Sequence, residues 1–164
     1  MRKVTFTRNI LPHNKNHKFK KNKIMFDQIL QLVKEHFNSN PQVSSSIPAD
    51  QADEVHKEIA THVTNGLANQ AATQGGIGGL LSKLQNSIGS GSPVTSAIEG
   101  GLAGSLANKF GLPPMVTGAI AAMLPGILQK FANKANDPND NSITTDSITK
   151  SLSGIGGGLG NLFK

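Results

Sequence analysis

The sequence has no cysteine, no tryptophan and no tyrosine. Without cysteine there is no disulfide, no thiolate zinc site and no thiol nucleophile. Seven Phe are the only large aromatic side chains, so the groups most used as interface anchors and base-stacking platforms are missing. Charge is sparse too. Charged residues make up 16% and hydrophobic ones 37%, both below the usual globular share. Glycine (18 residues), Ala, Asn and Ser fill the difference. Such side chains bury little area at ~25 cal/mol per Å², and the expected core is thin. The segment 1–24 holds no uninterrupted apolar run, since Thr5, Thr7, Arg8 and Asn9 break it. It is therefore not read as a secretory signal, and a cytoplasmic location is expected.

The net charge of +6 is unevenly placed. Residues 1–24 carry Arg2, Lys3, Arg8, Lys15, Lys18, Lys20, Lys21 and Lys23 with no acid; residues 25–164 carry eight bases against ten acids, a net −2. The basic character belongs to an arm, not to a domain. That arm has no sustained periodicity and is expected to be disordered. Its composition changes abruptly at Met25, which suggests a natural start there; the rival reading is a basic arm for nucleic acid or acidic lipid. Intact mass of the native protein distinguishes them.

From Met25 the chain reads as helices. Phe26, Ile29, Leu30, Val33 and Phe37 share one face of the first, with Asp27 in its first turn. Residues 38–46 read as a polar linker. Ile47-Pro48 opens a second helix, buried along Ala52, Val55, Ile59, Val63 and Leu67, that stops at Gln74-Gly75-Gly76. A third, 77–88, carries Leu80, Leu81, Leu84 and Ile88. Ser92-Pro93 caps a fourth running to Phe110, with Gly111 as its left-handed terminator. The centre of the architecture is Phe110–Gln129, an uncharged stretch bracketed by Lys109 and Lys130. It has nearly the length of a membrane span, but Pro113, Pro114, Gly118, Pro125 and Gly126 favour a buried core helix, kinked or split at Pro125. Residues 136–141 break the chain. A weak helix on Ile143, Ile148 and Leu152 and a glycine-rich tail follow.

The expected fold is thus all-α: a compact bundle of about five helices around a central, proline-interrupted apolar helix. Residues 1–24 form the arm, 25–136 the helical domain, and 137–164 the break, weak helix and tail. Leu67-Ala-Asn-Gln, Leu106-Ala-Asn-Lys and Phe131-Ala-Asn-Lys recur at unequal intervals, which reads as three similar helix ends and not as a fixed-period array.

Two runs carry a family resemblance. HVTNGLANQAATQGGIGGLLSKL (62–84) is a helix, a glycine turn and a Leu-rich helix. SLANKFGLPPMVTGAIAAMLPGILQKFANKANDP (105–138) is a helix, a G-L-P-P turn and an apolar helix interrupted by Leu-Pro, and a Gly/Leu tail follows it. Over roughly residues 26–164 this pattern resembles the YidB-like bacterial proteins, a domain-of-unknown-function family. The resemblance implies a small all-helical bacterial protein and transfers no catalytic residue; residues 1–24 lie outside it.

Site chemistry is not evident. His56 and His62 are six positions apart, about 240° around a helix, and do not share a face. His36 has only Glu35 as an acidic neighbour, while His13 and His17 lie in the arm; all five histidines read as solvated or packing groups. Asp50, Asp53, Glu54 and Glu58 read as a solvent-facing acidic patch. The glycine clusters 75–81 and 154–160 lack the G-x-G-x-x-G and Gly-Lys-Ser/Thr patterns and a preceding strand. Gly89-Ser90-Gly91-Ser92 is no nucleophile elbow. No catalytic, cofactor-binding or metal residue is assigned, and no enzyme, cofactor or small-molecule substrate is expected. Three readings follow: a structural or protein-interaction module, self-associating or bound to a protein partner; membrane association through 110–129 and the tail; and, least supported, nucleic-acid binding through the arm.

Overall fold

The computed structural model describes residues 23–87, 92–140 and 143–151. Six α-helices run in order: α1 Lys23–Asn38, α2 Pro41–Ser45, α3 Ala52–Thr73, α4 Ile77–Ser87, α5 Pro93–Phe110 and α6 Pro114–Asn136. A last helical turn covers 145–151. There is no strand among the described residues, and the fold is all-α as the sequence implies. The arm before residue 23 and the tail after 151 lie outside the described residues.

Local signals account for most helix ends. At α5, Ser92 Oγ accepts a hydrogen bond from Thr95 N at 3.2 Å and Pro93 fills the first turn, so one orphan donor is satisfied and another never exists. Gly111 closes the helix at φ 63°, the left-handed conformation expected of it. After α3, Gly75 and Gly76 take positive φ, and Gly76 N–H donates to Ala71 C=O at 2.8 Å.

Five details depart from the sequence reading. The linker contains α2, because Pro41 is suited to a helix start and Val43 finds apolar cover. The second helix begins only at Ala52: Pro48 instead heads a turn in which Gln51 N–H bonds Pro48 C=O at 2.9 Å. And α6 passes through Pro125 without a break. Leu124, Ile127 and Leu128 on either side are fully buried, and their packing outweighs the one backbone bond that proline removes. On α1 the buried stripe is Met25, Ile29, Leu32, Val33 and Phe37, with Phe26 and Leu30 only half-buried; the helix starts before Met25, so Asp27 is not in its first turn.

The core sits inside a ring of four helices. α1 packs on α3 and α6, and α5 packs on the same two, so α1 faces α5 and α3 faces α6 across the centre. α4 closes one side against α3 and α6. Ile143 and Ile148 add buried apolar groups from beyond the α6 break.

The ring repeats itself. Buried Ile59, Ala60, Val63, Thr64, Leu67 and Ala71 of α3 each have a buried counterpart in α6: Met123, Leu124, Ile127, Leu128, Phe131 and Ala135, at a constant offset of 64 in the numbering (Met123 minus Ile59). Ile29, Val33 and Phe37 of α1 meet Val94, Ile98 and Leu102 of α5 at an offset of 65 (Val94 minus Ile29). Exchanging α1 with α5 and α3 with α6 leaves the pattern of neighbours among these four helices unchanged; α2, on α1 and α6, stands outside it.

Candidate functional site

Two helix crossings, equivalent under that exchange, hold most of the chemistry. At the α3/α5 crossing, residues one turn apart line up because i and i+4 share a face: Glu58 and His62 on α3, Gly101, Ser105 and Lys109 on α5. Lys109 Nζ donates to Glu58 Oε1 at 2.7 Å, and His62 Nε2 lies 2.9 Å from Ser105 Oγ and 3.3 Å from Glu58 Oε1. The Lys109 hydrogen bond holds the Glu58 carboxyl below its ordinary range, against a smaller opposing effect of burial. A shallow groove of about 420 Å³ runs beside this cluster, lined by Glu54, Lys57, Glu58, Thr61, Lys109 and Phe110.

Serine, histidine and glutamate in contact invite comparison with a nucleophilic triad, and the geometry argues against one. A relay requires hydroxyl and carboxylate on opposite ring nitrogens, so that the acid orients the base toward the nucleophile. Here both oxygens approach the same Nε2, and Nδ1 faces Gly101. The cluster is a bracket between two helices.

At the α1/α6 crossing the roles are exchanged. Gly101 corresponds to His36 under the α1/α5 offset, and Gly126 to His62 under the α3/α6 offset, so a histidine packs on a glycine at each crossing. His36 sits so close that a Cβ on Gly126 would come within 2.7 Å of its Cε1. Lys130 and Glu35 form the flanking pair at 3.8 Å. His36 Nδ1 is buried without a hydrogen-bond partner, as is His56 Nδ1 on α3. The His56 ring packs edge-on against Phe37 of α1, centroids 4.7 Å apart. Burial foremost, then the nearby Lys130, lowers His36 below its ordinary value; burial and Lys34 do the same to His56.

The structure thus separates His56 and His62 onto different faces of α3, as their spacing requires, and spreads the acidic patch. Asp53 pairs with Lys34 of α1 at 2.7 Å, Glu58 turns to α5, and Asp50 precedes the helix. Among the described residues no three His, Asp or Glu side chains group as metal ligands. Sequence reasoning missed Ser105 and Lys109; the one available signal was the i,i+4 spacing of Gly101, Ser105 and Lys109 beside the Glu58–His62 pair. α6 is long and apolar enough to cross a bilayer by length and composition, with a mean hydropathy of 1.3, yet 44% of that window is buried inside the bundle.

No curated protein and no solved structure matches the chain. The family model described as a bacterial protein of unknown function (DUF937) matches it twice, over residues 30–94 and 92–163. The two matches meet at the start of α5, where the repeat of buried positions also divides. With nearly the whole helical region covered, the chain belongs to this YidB-like family of bacterial proteins of unknown function.

Proposed function

We propose that the protein is a non-catalytic module of the bacterial cytoplasm that works by binding protein, either a partner or a second copy of itself. The observation that carries this reading is the outer surface of α5 and α6. Ala97, Gly100, Gly104 and Ala107 are exposed on α5, and Met115, Gly118 and Ala122 on α6. Met115 is 85% exposed, and Gly100, Gly104 and Gly118 have open space where a Cβ would project. Residues 114–129 of α6 carry no charge, and α5 carries only Glu99 and Lys109. A face of small side chains and one exposed Met, without charge, admits a helix at close range, whereas a purely solvated face would carry Lys and Glu. The single-nitrogen geometry at His62 supports the non-catalytic half of the reading.

Light scattering across a concentration series tests it, together with affinity capture on the full chain. Gly104→Arg points into open space and replaces a mid-helix glycine with a good helix former, so it should not lower the melting temperature, while abolishing association or capture. A chain that stays monomeric at its highest soluble concentration and captures nothing overturns the reading.

The length and apolarity of α6 favour one alternative, association with a membrane. Flotation with anionic liposomes separates the two: full chain and residues 25–164 both floating in high salt would indicate insertion. Flotation of the full chain alone, reversed by salt, would assign it to the basic arm. DNA binding confined to the full chain would indicate the arm acting as a nucleic-acid tether.

A further inference from the structure

The two equivalent crossings differ in what meets an added proton. At α3/α5, the His62 nitrogen that contacts Ser105 also has the Glu58 carboxylate 3.3 Å away. At α1/α6, His36 is wedged on the Gly126 backbone with a partnerless, buried Nδ1, and the facing charge from α6 is the Lys130 ammonium, offset only by Glu35 on its own helix. On the other side of α1, His56 packs edge-on against Phe37 with its own Nδ1 buried and unpaired. The charge facing it from α1 is Lys34, and Asp53 lies on its own helix. Residues 36 and 37 therefore dock α1 against α6 and α3 through two half-buried imidazoles, each with one ring nitrogen enclosed and unpaired. A protonated ring in either place must keep an unsolvated N–H or leave.

We propose that α1 is an acid-releasable element: protonation of His36 and His56 loosens its grip on α6 and α3, while the α3/α5 crossing stays closed. Release uncovers Ile29, Val33 and Phe37, the apolar stripe that α1 otherwise buries. The sign follows from linkage. Both histidines are held below the ordinary 6.5 in the folded chain, so the unfolded or opened segment takes up protons first. The stability they contribute is whole above pH 6.5 and is lost as pH falls through that value toward the folded ones. Asp53 and Glu58 are also held low, from ordinary values of 3.8 and 4.5, but their contribution is lost only in more acidic solution, so the two windows are distinct.

Hydrogen exchange on the full chain, corrected for intrinsic rates, tests this between about pH 7.5 and pH 5, a range that brackets the ordinary histidine value. The expected result is a loss of protection in peptides from α1 as the pH falls, with peptides from α5 changing much less. In His36→Gln/His56→Gln the excess loss in α1 should disappear. As a check that needs no substitution, the Cε1 resonances of His36 and His56 in the intact protein should titrate at lower pH than in the urea-unfolded chain. Equal opening of α1 and α5 over this range overturns the proposal. So does an unchanged α1 response in the double variant, or titration of both resonances at their unfolded values.

Discussion

At the scale of single residues, the glycines divide into those that carry helix contact and those that do not. Gly66 on α3 lies directly under Ile98 of α5: a Cβ there would collide with the Ile98 side chain, which is 2% exposed and has nowhere to go. Gly104, on the outer face of α5, has nothing within contact range. Gly66→Ala should therefore destabilise by about 1–3 kcal/mol through overpacking. Gly104→Ala should stabilise by roughly 0.5–1 kcal/mol through backbone entropy alone. Thermal unfolding of the two variants beside the parent checks both, and equal effects would mean that α3 and α5 do not approach as closely as Gly66 requires. The sequence shows only that small residues line both helices. It cannot rank them, because Gly66 and Gly104 have similar local settings (Thr-Asn-Gly-Leu and Leu-Ala-Gly-Ser) and differ only in what another helix brings against them.

At the scale of elements, the readable signals are those written in consecutive residues. Ser92-Pro93 and Gly111 mark both ends of α5, and apolar spacing places α3, α4 and α6 to within a turn at most ends. The α5 cap gives a direct check. Ser92 Oγ bonds both Thr95 N and, at 2.7 Å, Thr95 Oγ1, all of it buried. Ser92→Ala should cost about 0.5–2 kcal/mol and speed hydrogen exchange in the first turn of α5 more than at Gly111. What escapes the sequence depends on neighbours. The stripe on α1 turns toward Leu32 because α3 and α6 both cover that helix, which widens its buried sector beyond one face. The chain between 41 and 45 forms α2 because Pro41 suits a helix start and Val43 packs on the bundle, beside a groove of about 210 Å³ that it shares with Met115, Val116 and Ala119 of α6. Glu58, His62, Ser105 and Lys109 are each visible, but residues 43 apart in sequence are brought together only by the α3/α5 crossing.

At the scale of the whole molecule, the ring behaves as two copies of one helical unit packed on each other, and the Leu-Ala-Asn echo is its trace. The three occurrences begin at Leu67, Leu106 and Phe131, so consecutive intervals are unequal, while the first and third stand at the same offset of 64 that relates α3 to α6. A period search on neighbours misses a duplication whose middle occurrence belongs to a different helix. The equivalence also predicts a chain order. If the halves are interchangeable, the end of the second stands to the start of the first as α4 stands to α5. Leu81 and Leu84 have buried counterparts in Ile148 and Ser151, again at one common offset, so the pattern of buried positions matches the turn at 145–151 to α4. A permuted chain running 92–151, a short linker, then 23–87 should fold to the same helical content, with a melting temperature within about 3–4 °C of the unpermuted 23–151 segment, the shift that about 1 kcal/mol produces in a chain of this length. A second permutant opened in the middle of α3 provides the contrast, since it cuts a helix that is buried along most of its length and should not fold cooperatively. If both permutants fail alike while the unpermuted segment melts cooperatively, residue 151 does not end near residue 23, and the correspondence of buried positions reflects helical periodicity without two-fold packing. If only the first succeeds, the bundle is a pair of like halves joined in one chain, each covering the apolar face that the other cannot leave open to water.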